Sequence, residues 1–345
     1  MTAVLIDGRE FVAGRHTGIG RFLEGLLLAV LEAHGDWRIT VAMTKRCALP
    51  ATLASKLAVL YLPHAVELWW PRLAKGHDLF LSPYPKLPWR RLPCPAVHTV
   101  HDVLYLMHPA YRSHTLHNWG AHLRLRRALG SAALTWFDSA ASLDDCRRLC
   151  GIRNGAVRFP AIDACFTPGE EEANEPYFLH VGNGLPHKNL PVLLQAVRDL
   201  PAKLVLVGVR HADVLLAGLD AEARARIACR ESVDDAALLR LYRGAAALLL
   251  PSTAEGYGFP PLEAMACGTP AVVSDIPVLR ETTGGAAMLC DAHDAGAWRQ
   301  AMHAMLQPAV RREWADRGLA WVAPLKAPLG WAAHIADLER LLGGR

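Results

Sequence analysis

The chain alternates short apolar segments with longer amphipathic ones in two separate regions, one in each half of the sequence. In the first half, residues 3–7, 38–43, 79–82, 96–100 and 133–137 predict strands with helices between them. In the second half, residues 177–181, 203–207 and 246–250 predict strands, with helices at 190–200 and 235–242. Strands that alternate with helices form parallel sheets covered on both faces. The pattern therefore predicts an α/β chain of two doubly wound domains, which also suits a length of 345 residues.

The regular pattern stops between the two regions. Residues 166–176 contain Pro168, Gly169 and the acidic run Glu170–Glu172, a composition typical of a linker. We therefore expect a first domain at residues 1–165, a hinge linker at 166–176 and a second domain at 177–326. A last helix is predicted near residues 331–342, within a terminal segment at 327–345.

Composition disfavours several classes of protein. No apolar run reaches the roughly 18 residues of a membrane-spanning helix. The first ten residues mix charged and apolar side chains, unlike a secretory signal. The eight cysteines include no C-x-x-C pair, which predicts reduced thiols and neither disulfides nor zinc. We therefore expect a cytoplasmic protein.

Charge is divided unevenly along the chain. Residues 1–168 carry 20 Lys and Arg against 12 Asp and Glu, a net charge of +8, whereas residues 169–345 carry 17 against 21, a net charge of −4. Tryptophans lie beside basic residues at 67–75 and 88–92, which suits a peripheral contact with the inner membrane face or an anionic lipid acceptor. An aromatic core cluster with solvated basic neighbours explains this pattern equally well. Nucleic acid is the weaker partner, because no dense basic tract or known binding module is present.

Two acids, Glu255 and Glu263, lie eight residues apart around a predicted junction between a loop and a helix. The preceding strand ends at Pro251, and a helix can begin at Pro260, which places Glu255 in the loop and Glu263 in the first helical turn. Carboxylates there can accept hydrogen bonds from sugar hydroxyls, while the helix N-terminus can bind a phosphate. The alternative is that Glu263 complements the helix dipole and Glu255 is a solvated loop acid.

Glycines beside these acids favour the binding interpretation. Gly256 and Gly258 bracket Tyr257, which indicates close approach of the backbone to a ligand.

A second candidate cluster lies at residues 181–190, where one predicted strand ends and a helix begins. Lys188 stands at that junction, where a cation opposes the helix dipole unless an anion binds, and its ammonium can meet a diphosphate.

Two further motifs follow strands of the first half. Gly18 and Gly20 open a helix and can present N–H groups to an anion, although Leu23 breaks the dinucleotide fingerprint and a turn without a ligand is the alternative. His101 and Asp102 follow the strand at 96–100. Asp102 can orient the His101 ring or cap the next turn, and a lone histidine is more often a packed or surface residue.

Four of these segments together resemble the retaining glycosyltransferases of family four. Residues Ser252 to Asp291 match that family's EGxGxPxxEAMAxGxPV pattern almost position by position. Residues 181–190 are similar to its VG-x-x-x-P-x-K-N signature, although many members have arginine where this chain has Asn183. Residues 99–103 resemble its HD segment, and residues 18–22 resemble its glycine loop.

The resemblance implies the GT-B fold, with two facing Rossmann-like domains and a C-terminal helix that crosses back to the first. It assigns three catalytic residues. Glu255 would contact the transferred sugar, Lys188 the diphosphate, and His101 the donor sugar and the reacting centre. It implies that Glu263 binds the ribose hydroxyls, and that the backbone near Ser232 and Val233 recognises the base. The implied donor-binding set is Gly18, Gly20, Asn183, Lys188, Ser232, Val233, Glu255, Gly256, Tyr257, Gly258, Phe259 and Glu263.

The implied activity is transfer of a hexose with retention of anomeric configuration. The donor would be a nucleotide diphosphate sugar, GDP- or UDP-linked, with mannose favoured by likeness to bacterial polysaccharide mannosyltransferases. The acceptor would be a glycan or lipid-linked glycan of the cell surface. No metal or other cofactor is expected, because the chain has no D-x-D triplet. Alternatives are a nucleotide-sugar epimerase of the same fold or a non-catalytic nucleotide-sugar-binding protein, whereas a glycosidase lacks a partner acid.

Overall fold

The computed structural model of the protein describes residues 1–13, 17–62, 70–85, 91–107, 115–152, 154–169, 175–198 and 200–343. The chain divides into two compact units. The first contains the described residues up to Ala161 together with those from Ala327 onward, and the second contains Ile162–Lys326. Phe166, at the start of the predicted linker, is buried in the second unit against Tyr242.

A seven-stranded parallel sheet forms the centre of the first unit. Its strands are β1 (Ala3–Asp7), β2 (Arg38–Met43), β3 (Ala58–Tyr61), β4 (Leu79–Ser82), β5 (Ala96–Val100), β6 (Leu134–Phe137) and β7 (Gly155–Val157). Their order is β3-β2-β1-β4-β5-β6-β7, with every neighbouring pair parallel. The central strands are buried because they carry almost continuous apolar side chains, as expected of a sheet covered on both faces.

Helices cover this sheet. They are α1 (Gly18–Ala33), α2 (Ala51–Ala54), α3 (Trp70–Leu73), α4 (Leu104–Met107), α5 (Thr115–Ser131) and α6 (Ala140–Cys150), followed at the end of the chain by α15 (Ala332–Gly343). Thr17 caps the N-terminus of helix α1, because its Oγ1 accepts from the Gly20 amide at 2.9 Å. Its apolar face, including Phe22 and Leu26, is buried in the core.

The C-terminal segment packs on the first unit, to which it belongs. Trp331 is buried edge-on against Phe22, with ring centroids 5.3 Å apart. Asp337 accepts hydrogen bonds from Trp136 Nε1 at 3.0 Å and from both Arg158 Nε and Nη2, at 2.8 and 2.9 Å. These contacts join α15 to β6 and to the residue that follows β7.

The second unit contains a six-stranded parallel sheet. Its strands are β8 (Tyr177–Val181), β9 (Lys203–Val207), β10 (Ile227–Arg230), β11 (Ala247–Leu250), β12 (Ala271–Ser274) and β13 (Met288–Cys290), in the order β10-β9-β8-β11-β12-β13. Its helices are α7 (Leu190–Ala196), α8 (Ala212–Leu216), α9 (Ala221–Ala225), α10 (Asp235–Gly244), α11 (Phe259–Ala266), α12 (Pro277–Thr283), α13 (Ala295–Met305) and α14 (Pro308–Val322). Its core centres on Leu204, Leu249, Val272 and Trp298, all inaccessible to solvent.

The predicted fold class is confirmed. Both sheets are parallel and doubly wound, and most strands expected from the sequence lie within one residue of their observed bounds. The helix expected at 190–200 begins at Leu190 as predicted, but its predicted end is wrong, because it ends at Ala196. The sequence pattern did not identify the internal, buried strand β12. It also missed the sheet-edge strands β3, β7, β10 and β13, whose side chains are largely exposed or half-buried and lack a continuous apolar run.

The membrane-facing hypothesis concerns segments that are only partly described. Residues 63–69 and 86–90, which include Trp69 and Trp89, lie outside the described residues. Trp70 is described, and it is fully buried against Phe80 with ring centroids 4.9 Å apart. For Trp70, the structure therefore agrees with the core interpretation. Within the described part of the chain, no helix has the length and apolar character needed to cross a bilayer.

Candidate active site

The two strands at the centre of the second sheet place the strongest candidate residues together. The connection after β8 leads to β9 on one side, and the connection after β11 leads to β12 on the other. In open α/β sheets such a reversal creates a crevice at the carboxyl ends of the strands, where ligands bind. Lys188 follows β8 and Glu255 follows β11, so both lie at this reversal.

Lys188 and Glu255 form an ion pair. The distance from Lys188 Nζ to Glu255 Oε1 is 2.6 Å, and the two side chains are only 12% and 10% exposed. A pair that is this shielded from water is screened less by salt than a surface pair. The spacing of 67 residues in sequence shows that the fold, and not a local motif, creates this pair.

Hydrogen bonds between the two loops fix the pair in position. The Thr253 amide donates to the His187 carbonyl at 2.8 Å. Asn189 adopts a left-handed conformation, with φ of 51°, and its Nδ2 donates to the carbonyls of Pro251 and Ala292 at 3.2 and 2.6 Å. Asparagine is one of the few residues that tolerate this conformation. This role of Asn189 was not predicted, although its short amide side chain at a helix start was the available signal in the sequence.

Glu263 lies on α11 and points into the unit. The predicted placement in the first helical turn is wrong, because the helix begins at Phe259 and Glu263 is its fifth residue. Its side chain is buried, and Tyr242 Oη donates to its Oε2 at 2.6 Å. Tyr242 therefore sets the orientation of the carboxylate. No sequence signal distinguished Tyr242 from an ordinary core residue of α10.

The segment between the two acids is packed into the unit. Tyr257 is buried and meets Phe259 edge-on, with ring centroids 4.9 Å apart. Gly258 has a φ of +86°, and a Cβ there would lie 2.7 Å from Leu279 Cδ2. Packing against Leu279 therefore explains Gly258 without a ligand. Gly256 is also buried.

The remaining residues predicted in the second unit lie in exposed loops. Asn183 is exposed, and its Oδ1 accepts from the Leu185 amide at 3.4 Å. Ser232 is exposed and Val233 is half-buried in the loop that joins β10 to α10. These positions share the carboxyl edge of the sheet with Lys188 and Glu255, since they too follow the ends of their strands.

The first unit holds the other predicted residues. Gly18 and Gly20 form the first turn of α1, where the Gly20 amide donates to Thr17 Oγ1. His101 follows β5 and is mostly buried. Its Nδ1 lies 2.6 Å from Asp138 Oδ2, and its Nε2 lies 2.8 Å from the Pro83 carbonyl. Both partners are acceptors, so both ring nitrogens donate when the ring is protonated.

Asp138 is the carboxylate that orients His101. Burial by itself lowers the pKa of His101, but the charge and hydrogen bond of Asp138 and the Pro83 carbonyl outweigh burial and raise it. Asp102 instead accepts from the Leu104 amide at 3.0 Å and caps the next turn, the second of the two roles considered for it. Asp138 was not predicted from the sequence, because it follows β6 and comes next to β5 only through strand pairing.

A second charged cluster follows β1. Buried Asp7 accepts from Arg9 Nε at 2.9 Å and from Arg9 Nη2 at 2.7 Å. The guanidinium lies 5.6 Å from the ring centroids of both Trp70 and Tyr84. The described residues include no group of three or more side chains suited to holding a metal ion.

Residues 165–319 match the family model described as glycosyl transferases, group 1. This range contains the ion pair, Glu263 and the loops that hold them. Over these residues the chain is similar to the group 1 glycosyl transferases, and its two parallel-sheet units have the GT-B fold.

Two curated relatives are O-antigen enzymes. The chain is 33% identical over 138 residues to the O-antigen chain mannosyltransferase RfbU of Salmonella typhimurium strain LT2, a match that covers 39% of each chain. It is 38% identical over 154 residues to O-antigen chain mannosyltransferase B of Escherichia coli, covering 42% of this chain and 40% of the relative. The chain thus spans about two fifths of the length of the curated relatives it matches.

Solved structures share the whole fold at lower identity. Sucrose-phosphate synthase from Thermosynechococcus elongatus superposes with a TM-score of 0.80 at 18% identity, with all of both chains covered. The Anabaena protein HepE in complex with UDP superposes with a TM-score of 0.75 at 16% identity, covering 99% of this chain and 100% of that one. At these identities the likeness establishes the fold alone.

Proposed function

We propose that the protein is a retaining glycosyltransferase of family four that transfers a hexose from a nucleotide diphosphate sugar to a glycan or lipid-linked glycan acceptor. The observation that carries this proposal is the shielded pair of Lys188 and Glu255 at the reversal point of the second sheet. Mannose is the favoured sugar, with GDP as the favoured nucleotide, because both O-antigen relatives are named mannosyltransferases. The reaction belongs to cell-surface polysaccharide synthesis on the cytoplasmic side of the membrane.

The charges of the pair match the charges that develop during transfer. As the glycosidic bond breaks, the diphosphate gains negative charge and the sugar ring gains positive charge. The ammonium of Lys188 stabilises the negative charge on the diphosphate. The carboxylate of Glu255 stabilises the positive charge on the sugar ring and accepts hydrogen bonds from the sugar hydroxyls. Because both groups are already fixed by the loops, they need little reorganisation as the reaction proceeds.

The other predicted residues are assigned to the remaining parts of the donor. Glu263, oriented by Tyr242, binds the ribose hydroxyls, and the backbone near Ser232 and Val233 recognises the base. The leaving phosphate guides the acceptor hydroxyl to the face it departs from, which retains the anomeric configuration. Lys188 meets the diphosphate directly, so no metal ion is required. His101, which belongs to the first unit, is assigned to contact with the donor sugar.

A transfer assay tests the proposed function. We expect the protein to release GDP from GDP-mannose only when a polyprenyl-diphosphate-linked oligosaccharide is added, and to do so equally well in excess EDTA. NMR of the product should show an α-mannosyl linkage, as in the donor. UDP-glucose serves as the matched donor control and should react more slowly.

Other outcomes would reject separate parts of the proposal. Conversion of the donor without any acceptor would favour the epimerase alternative, and binding of GDP-mannose without turnover would favour a non-catalytic binding protein. A β-linked product would exclude retention. Loss of activity in EDTA would exclude metal-independent transfer.

A further inference from the structure

A buried histidine of unassigned function lies on β8 beside the ion pair. His180 is inaccessible to solvent, and its Nδ1 lies 3.0 Å from the Leu249 carbonyl on the neighbouring strand β11. A carbonyl oxygen can only accept, so Nδ1 carries the proton and donates. Burial lowers the pKa of His180 to about 4, so the ring is neutral near pH 7 and Nε2 carries a lone pair.

Nε2 of His180 has no hydrogen-bond partner among the described residues, although it is buried. Such an unpaired acceptor is uncommon inside proteins and is costly to retain. The position of a Cβ on Gly182 would be 3.2 Å from Nε2 and 3.6 Å from Lys188 Cε. The lone pair and the end of the Lys188 side chain therefore border the same small space above Gly182.

We propose that His180 is a positioning residue that holds the Lys188 ammonium in place for the diphosphate of the donor. This inference rests on the proposed function. The ammonium has three protons, and Glu255 Oε1 accepts one of them at 2.6 Å. With a nucleoside diphosphate bound, a second proton faces the phosphate oxygens and Nε2 accepts the third.

The residue type suits this role. His180 is inaccessible to solvent, and its Nε2 and Lys188 Cε border the same space, so His180 acts through the lysine and does not touch the donor. A carboxylate in the place of His180 would also accept from Lys188, but its negative charge would oppose the diphosphate. A neutral imidazole supplies the acceptor without that charge.

Two substitutions of His180 distinguish the role of Nδ1 from that of Nε2. His180→Asn keeps an amide nitrogen near the position of Nδ1, able to donate to Leu249, and removes the acceptor at Nε2. His180→Gln reaches the position of Nε2 with its amide oxygen and gives up the bond to Leu249. Calorimetric titration of GDP and of UDP into each variant compares them, with thermal melts to verify folding.

We expect His180→Asn to raise the Kd of the preferred nucleotide about tenfold, since a hydrogen bond to a charged group is lost. His180→Gln should stay within about threefold of wild type, because it restores the acceptor. A purely structural role through Leu249 predicts the reverse order. That reverse order, or unchanged affinity in both variants, would overturn the inference.

The same titration in the Lys188→Met background tests whether His180 acts through Lys188. In that background, His180→Asn should change the Kd by no more than about twofold, because coupled residues are not additive. An equal loss in both backgrounds would overturn the proposed positioning. If the wild-type protein binds neither GDP nor UDP, the proposed function and this inference both fall. If it binds one of them and His180→Asn binds it equally well, only this inference falls.

Discussion

Replacing Lys188 by methionine is expected to lower kcat/KM for sugar transfer about 10²–10³-fold, the usual effect of removing one fixed group that stabilises charge in a transition state. Methionine has nearly the length of lysine and no charge, so the change removes charge with little change in volume. The loss arises because the departing diphosphate no longer meets a cation. Steady-state kinetics with the preferred donor and saturating acceptor measure it.

Lys203 provides a matched control for this substitution. Its Nζ lies 2.6 Å from Glu175 Oε2, the same separation as in the Lys188 pair, but the two side chains are 51% and 62% exposed. Lys203→Met should leave kcat/KM within about twofold of wild type, because exposed ion pairs contribute little. If Lys188→Met retained wild-type turnover, or if both substitutions caused the same loss, Lys188 would not be the cation that stabilises the leaving group.

Replacing Asp337 by alanine is expected to destabilise the first unit by about 3 kcal/mol, the low end of the cost of breaking a buried ion pair. Asp337 is 1% exposed and accepts from Trp136 and Arg158, and it also contacts Arg340. Its loss leaves the Trp136 N–H without its partner inside the core. Arg158 is 25% exposed and can reach water, which keeps the cost at the low end. Urea unfolding followed by circular dichroism measures the change.

The pH dependence of this effect follows from the pKa of Asp337. Burial by itself raises that pKa, but the hydrogen bonds from Arg158 and Trp136 outweigh burial and lower it. A carboxyl whose folded pKa is depressed stabilises the fold above its unfolded pKa, about 4, and loses that contribution as the pH falls through the lower folded pKa. The difference between wild type and Asp337→Ala should therefore be full at pH 7 and shrink below about pH 4.

Asp144 is the control for Asp337. It pairs with Arg147 in the same unit, but both side chains are more than half exposed. Asp144→Ala should change the unfolding free energy by less than about 0.5 kcal/mol. Limited proteolysis adds a second measurement, because Asp337→Ala should expose the C-terminal helix to cleavage before the rest of the unit. Equal stability of the two variants would show that Asp337 does not anchor α15.

Most of the buried strands were predictable because buried parallel strands carry continuous apolar runs, whereas the order of the strands in each sheet was not predicted. Ala3–Asp7 and Lys203–Val207 needed only that pattern. The edge strands were missed because one side of each is open to solvent, and Ile227–Arg230 shows the consequence, with exposed and half-buried side chains throughout. This reason does not apply to Ala271–Ser274, a buried internal strand that was also missed. A local sequence pattern carries no information about which edge a strand will occupy.

The candidate site was predictable where local spacing alone defines a residue's position. Glu255 and Glu263 flank one short loop and one helix start, so the sequence located both and erred only on the turn that Glu263 occupies. Tyr242, Asp138 and His180 were not identified, because their partners come from distant elements. Pairing of β5 with β6 brings Asp138 to His101 across 37 residues, and pairing of β8 with β11 brings His180 to Leu249 across 69.

A crystal structure of the protein with GDP, and with UDP in a parallel soak, would show whether Lys188 binds the diphosphate of the donor. We expect a diphosphate within hydrogen-bond distance of Lys188 Nζ, with the ribose hydroxyls on the Glu263 carboxylate. The Lys188→Met variant, soaked in the same way, should show markedly lower occupancy. A nucleotide bound away from the loops that follow β8 and β11, or no bound nucleotide at millimolar concentration, would contradict that expectation.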